Sequence, residues 1–345
     1  MRKRPILSFV ALLTFTASFS QGLGLPAKEV GIGFGNLPRF TGIRFNFKDR
    51  DAIAITGINV TSWIQKNDDA MTGTVTGVSL GVPMAASNGS LHGVGVGILA
   101  LGAQRNIYGI NAGGLAVGSG GNIRGINVGG LGVGCGGNLM GINVGGLGAG
   151  SGARVTGINV GGLGVGAGTS LFGLNVGGLG VGSGERVSGI NVGGLGVGAG
   201  EKVSGLSVAI IGVGAGENVG GINIAGVGIG AGKSVSGLSI AAAVGSPTLR
   251  GMAIALAAGG NNVSGFMIVP GYFRVGDNKN SDDTPTMKGV SIGVFNQVFG
   301  HHNGVSIGVV NWTRSQRGLQ LGLVNIVKNN PPGLRILPIF NASFK

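Results

Sequence analysis

An all-β, glycine-rich repeat array is the fold class this chain predicts, built as a parallel β-solenoid with 16-residue coils. Three observations lead there. The opening glycines of one nearly invariant unit (Gly109, Gly125, Gly141, Gly157, Gly173 and Gly189) stand 16 residues apart. An aliphatic residue follows each, and then Asn111, Asn127, Asn143, Asn159, Asn175 and Asn191. The turns also show no odd–even alternation: Gly-Glu-Arg, Gly-Glu-Lys, Gly-Glu-Asn and Gly-Lys-Ser succeed one another between Gly184 and Ser234. Up-and-down strands need two kinds of turn, one for each side. A short fixed period marks stacked units, none of which can bury its apolar face alone.

The elements follow in order. Met1 to Pro5 is basic, Ile6 to Phe19 is apolar, and Ser18-Phe19-Ser20 is a small-x-small site before Gln21. This order predicts a signal peptide over residues 1–20, removed on export. Residues 21–41 form a lead-in, and Gly42-Ile-Arg-Phe and Gly57-Ile-Asn-Val open early copies of the repeat. A polar loop, Gln65 to Asp69, precedes ten equal intervals from Gly77 to Gly237. The spacing shortens to 14 at Gly251 and Gly265, is interrupted by a polar loop over 276–288, and resumes at Gly289, Gly304, Gly318 and Gly333. The tail to Phe344 loses its glycine and reads as a cap or final strand. Residues 42–345 are thus expected to form a single β-repeat domain, with its regular core at 77–252 and its C-terminal repeats and cap at 289–345.

Alternation sets the local structure of a repeat. In Val187-Ser-Gly-Ile-Asn-Val, Ile190 and Val192 share one strand face and Asn191 takes the other. The pair Gly193-Gly194 reads as a corner or bulge that flips the phase, so that Leu195, Val197 and Ala199 share a face. The aliphatic residues are expected inside, with each Asn stacked on the Asn of the next coil. A helix is excluded, because six glycines per repeat cost roughly 0.8–1 kcal/mol each against alanine. The Asn column has two readings: a flat ligand- or ice-binding display, or a structural ladder in which amides satisfy one another. Its small Gly and Ala neighbours favour the ladder.

The alternative architecture is an up-and-down outer-membrane β-barrel acting as a pore or passive channel. Each repeat is long enough to span a membrane as a strand, and Phe340 and Phe344 give the tail an aromatic character. Against it, Phe172 is the only aromatic residue between Gly109 and Ser264, where a barrel wants two aromatic girdles.

Composition excludes several classes. Glycine contributes 78 residues, but 43% hydrophobic content and only 10 prolines argue against a disordered chain. The net charge is +13, and removing Arg2, Lys3 and Arg4 with the leader leaves +10. The cations are dispersed and mark turns (Arg124, Arg154, Arg186, Lys202), so no nucleic-acid partner is expected. No acidic residue lies between Asp69 and Glu185, which leaves no recurrent carboxylate pair for acid–base work. His301 and His302 are adjacent, point to opposite faces of a strand, and read as a solvated turn rather than a metal site. Cys135 occupies a small-residue column and has no second cysteine to bond. Gly132-Val-Gly-Cys-Gly-Gly137 matches a dinucleotide fingerprint only through glycine density, since no βαβ unit surrounds it. No catalytic, cofactor-binding or metal-ligating residue is therefore expected, no cofactor, and no enzyme.

The units Gly-Val-Ser-Ile-Gly-Val-Phe-Asn, Gly-Val-Ser-Ile-Gly-Val-Val-Asn and Gly-Leu-Gln-Leu-Gly-Leu-Val-Asn carry a resemblance, together with the following Asn-Asn-Pro-Pro-Gly-Leu-Arg-Ile-Leu-Pro. Over Gly289 to Phe344, and more loosely over the core, the chain resembles the surface-repeat proteins first described in leptospires and found in other double-membrane bacteria. Many leptospiral members are lipoproteins, whereas this chain has no Cys directly following its apolar leader. The resemblance implies an exported protein of the outer membrane or cell surface, or else of the periplasm. It carries over no functional residues. The expected function is that of a non-catalytic repeat protein of the cell envelope acting through shape or surface, with the outer membrane or other envelope components as partners.

Overall fold

The computed structural model describes residues 22–48, 52–63, 73–277 and 284–344. The leader ending at Ser20, the polar loop Gln65 to Asp69 and the centre of the 276–288 loop lie outside the described residues. The chain divides into a unit ending at Gly162 and a second beginning at Leu163. Both are β-solenoid.

The first unit opens with an antiparallel hairpin, Leu23–Ala27 against Val30–Phe34. From there the strands stack in parallel: Val30–Phe34 on Arg39–Lys48, then on Ala54–Trp63 and Thr74–Gly81. The register holds Gly31, Gly42, Gly57, Gly77 and Gly93 in one column and carries on to Gly157. The coils thus begin at Gly31, inside the stretch expected to be a lead-in. A second, shorter strand follows the long one in each coil; Met84–Ser87, Ala100–Ala103, Ala116–Ser119, Gly132–Cys135 and Gly148–Ser151 stack in turn.

The second unit repeats this scheme. Ser170–Gly177, Arg186–Gly193, Lys202–Ala209, Asn218–Ala225 and Ser234–Gly245 are parallel neighbours in unbroken register. The shortened coils join the same column, with Gly237, Gly251, Gly265 and Gly289 aligned. The tail is a final strand, Ile336–Ser343, seated antiparallel on the last coil. Glu185, Glu201 and Glu217 lie along one edge: the Glu201 amide donates to the Glu185 carbonyl at 2.8 Å, and the Glu217 amide to that of Glu201 at 3.0 Å. Neighbours in an up-and-down barrel run antiparallel, so the parallel stacking overturns the barrel alternative.

The orientation of the side chains reverses one expectation. Ile190 and Val192 do share a face and Asn191 does take the other, but it is Asn191 that points inward, at 0% exposure, while Ile190 is 47% exposed. The phase reading at Gly193-Gly194 also fails. Leu195 projects from the corner, exposed, and only Val197 of the expected trio is deeply buried. Each regular coil therefore has a thin interior of Val187, Asn191, Gly193 and Val197. The physical reason lies in the stacking. An inward residue sits directly over its copy one coil away, so a short amide there satisfies itself along the axis, while the column of Ile107, Ile123, Leu139 and Val155 supplies the apolar part of the interior.

The ladder is directional. Asn111 Nδ2 donates to Asn127 Oδ1 at 2.9 Å, Asn127 to Asn143 at 2.8 Å and Asn143 to Asn159 at 2.8 Å. In the second unit Asn175 donates to Asn191 at 2.9 Å. Since every one of these amides is buried, the column cannot be a recognition face, and the structural reading holds. At the start of the first unit the same column is filled by Arg44, which is fully buried. Its Nε donates to Asn59 Oδ1 at 3.0 Å and its Nη1 to the Leu37 carbonyl at 2.6 Å. Desolvation pushes its pKa down to about 10, so it remains a cation at neutral pH.

Candidate functional site

The residues with the most chemical potential are spent on structure. No group of three metal-ligating side chains exists among the described residues. Cys135 is half-buried in the column of Ser119 and Ser151, and burial pushes its thiol pKa up, away from the reactive thiolate.

The histidine pair is corrected. It lies in a strand, not a turn, and while His301 is exposed, His302 is buried at 0% exposure. His302 stands two residues before Gly304, where most preceding coils carry Val, Ile or Leu. Its Nδ1 is 3.0 Å from Gln316 Oε1 and 3.2 Å from Ser306 Oγ. An amide oxygen only accepts, so the ring takes the Nδ1–H tautomer, and the Gly289 backbone also faces the ring. Burial lowers the pKa of His302 from 6.5. As pH falls through 6.5 the unfolded chain takes up the proton first, so this residue's contribution is intact above 6.5 and lost as pH falls through the lower folded value. The denaturation midpoint of the second unit is expected to drop between pH 7.5 and pH 5.5. A His302→Gln variant should flatten that dependence relative to wild type, as chemical denaturation at both pH values will show.

The outer surface is ordered in columns as well. The long strand of each regular coil turns out two aliphatic side chains, and the next corner a third. In the first unit Leu99, Leu115, Leu131 and Leu147 occupy successive corners, the amides of the last three each donating to the preceding leucine's carbonyl at 2.6 Å. Beside them run Ile110, Ile126, Ile142 and Ile158, all exposed. The second unit has the same edge, with Leu163, Leu179, Leu195, Ile211 and Val227 at its corners. The backbone ladder forces these side chains into one continuous apolar rib, because identical positions stack at roughly 4.8 Å. A single exposed leucine needs no explanation, but a contiguous apolar surface of this kind marks an interaction site.

The opposite corner of the coil is polar. In the second unit it carries Arg186 Nε bonded to Glu201 Oε2 at 3.3 Å and an ion pair between Lys233 and Glu217. In the first unit it carries a second amide ladder, in which the backbone amide and Nδ2 of Asn122 both donate to Asn106 Oδ1, at 3.0 and 3.1 Å. Asn138 repeats the arrangement on Asn122. Sequence reasoning missed this ladder, although the 16-residue spacing of Asn106, Asn122 and Asn138 was there to be read. Each unit is thus an amphipathic prism, apolar along one corner and polar along the other.

No family model matches this chain, and neither does any curated protein or solved structure.

Proposed function

We propose that this chain is a non-catalytic, exported repeat protein of the cell envelope that acts through its surface, resting its aliphatic rib against the outer membrane. The observation that carries the reading is the rib itself: Leu99, Leu115, Leu131 and Leu147 side by side and exposed, with Ile110, Ile126, Ile142 and Ile158 beside them. An amphipathic element with one apolar edge and an excess of cations suits the surface of an anionic bilayer. Among the described residues from 73 to 162 the charged side chains are Arg105, Arg124 and Arg154, with no acid to oppose them. The basic-apolar-small order of Met1 to Ser20 supports export, and the resemblance of the C-terminal repeats to bacterial surface-repeat proteins supports an envelope location.

Two measurements on the same preparation test this. Envelope fractionation should recover the protein with the membranes, its mature chain beginning at Gln21 by mass spectrometry. Purified protein should also co-sediment with vesicles containing anionic lipid, more weakly as salt is raised. Substituting Leu131→Ser with Leu147→Ser removes two corner side chains, each contributing roughly 1.5–3 kcal/mol if fully transferred from water. Vesicle affinity is expected to fall at least about tenfold. Unchanged sedimentation would remove the rib from the account. Concentration-dependent dimers in place of vesicle binding would assign it to a second copy instead.

A further inference from the structure

The coils that begin at Gly289, Gly304 and Gly318 differ from the others in their outer corner. Here a groove with about 690 Å³ of space runs along the stacking direction. One wall is the column Ile268, Ile292, Ile307 and Leu321, and the other is Pro270, Val294, Val309 and Leu323. Gly293, Gly308 and Gly322 form the floor between them. Glycine is required there, because a Cβ would fall 2.1, 2.3 and 2.0 Å from the carbonyl oxygens of Val269, Gly293 and Gly308 respectively. The floor is therefore bare backbone, one residue wide.

Three further features indicate a built site. Beneath it, Asn296 Nδ2 donates to the Ile307 carbonyl at 3.2 Å and Asn311 Nδ2 to the Leu321 carbonyl at 2.9 Å, which fixes the wall from inside. At the far end the final strand places Ile339 opposite Gly322, next to a register shift. Ile339 has φ of 70°, a conformation that a β-branched residue rarely adopts, and it is 75% exposed at the mouth of the groove. The third feature is charge. Over the described residues 284–344 the chain carries Lys288, Arg314, Arg317, Lys328 and Arg335, all exposed, and no acidic residue.

These observations specify an occupant. The walls and floor offer only aliphatic carbon and already-paired backbone, so the bound portion is apolar and unbranched enough to lie in a slot one residue wide. The walls span four successive coils, about 14 Å at roughly 4.8 Å per step, and Ile339 on the final strand extends the slot by one more, which suits a long extended hydrocarbon. The excess of exposed cations over this stretch favours an anionic head left in water above the groove. We propose that the C-terminal coils bind the hydrocarbon chain of a single-chain anionic amphiphile, a long-chain carboxylate taken up from solution. By register the wall continues the outward column of Val192, Val208, Ile224, Ile240 and Ile254, and the groove shares no residue with the Leu99 to Leu147 corners of the first unit.

The test uses the mature full chain, free of membranes, with stearate spin-labelled near its methyl end and kept below its aggregation concentration. A strongly immobilised component that saturates near one probe per chain is expected. Val309→Asp and Leu323→Asp each put a carboxylate on the wall at an exposed position, and each should weaken binding at least tenfold without shifting the melting curve. Should Val309→Asp disturb folding, Leu323→Asp decides, since that side chain is 71% exposed. Lys288→Gln combined with Arg317→Gln should weaken binding of the stearate probe several-fold and leave its methyl ester unaffected. Leu131→Ser with Leu147→Ser should leave binding unchanged while weakening vesicle association at least about tenfold. The proposal is overturned by the absence of an immobilised component, by its persistence in both aspartate variants, or by its appearance only when vesicles are present.

Discussion

Replacing Gly141 by alanine is expected to cost about 4 kcal/mol or more and to split the first unit's unfolding into separate steps. Gly141 has φ of +113°, and an added Cβ would lie 2.1 Å from the Gly125 carbonyl oxygen. The backbone conformation alone costs of order 1–3 kcal/mol for an L-residue. The clash is the larger part, since the obstructing atom belongs to the neighbouring coil's backbone and moves only if the two coils separate. In a repeat array stability is largely interfacial, so one pried interface uncouples the coils on either side. Gly134→Ala is the matched control. Its Cβ would sit 3.8 Å from the nearest atom, the Gly150 carbonyl oxygen, in ordinary contact. That variant should unfold with wild-type cooperativity, unchanged or stabilised by about 0.4–1 kcal/mol through its stiffer unfolded chain. Guanidinium denaturation of both proteins, followed by circular dichroism, reads the difference. Equal midpoints would show that the glycine column is not what holds the coils at this distance.

Asn143→Leu is expected to destabilise the same unit by about 3 kcal/mol. Asn143 is buried at 0% exposure, accepts from Asn127 and donates to Asn159, both at 2.8 Å. Leucine leaves Asn127 Nδ2 without its acceptor and takes a donor away from Asn159, at roughly 1–3 kcal/mol per stranded group. Its branched end must also fit a slot shaped for a flat amide. Asn143→Ser should be milder, because the second unit carries Ser207 at the equivalent position, where the Asn191 amide nitrogen and the Ser207 hydroxyl already lack partners among the described residues. A melting curve for Asn143→Leu that overlays wild type would deny the ladder any energetic role.

The inversion of the aliphatic columns shows where sequence reasoning stops. Alternation correctly paired Ile190 with Val192 and opposed Asn191, because side chains in any strand alternate. Which of the two faces is inner is not a property of the strand. Hydrophobicity argued for Ile inside, and the packing chose Asn. The same limit explains His302 and Arg44. Each occupies an inward column by register, yet the chemistry of its side chain suggests a surface position. Their columns could have been read by counting from the coil-start glycines, two positions before Gly304 for His302 and two after Gly42 for Arg44. The C-terminal groove was out of reach for another reason. It exists only where Ile292, Ile307 and Leu321 rise beside a glycine floor and Ile339 folds back on the final antiparallel strand to close the end.

By itself the sequence determined that this chain is all-β, that its unit is one coil of about 16 residues, that the coils stack in parallel, and that the asparagines bond to one another. These follow from the period and the uniform turns, which are local and repeated, and stacking acts on each copy alike. Only the tertiary structure decided which face of the strand is the interior. Two sheets drawn together by bare glycine backbone leave a space that one amide column and two aliphatic columns fill, among them Ile107, Ile123, Leu139 and Leu171, and the remaining aliphatic side chains are turned outward into the rib and the groove on which the proposed functions rest.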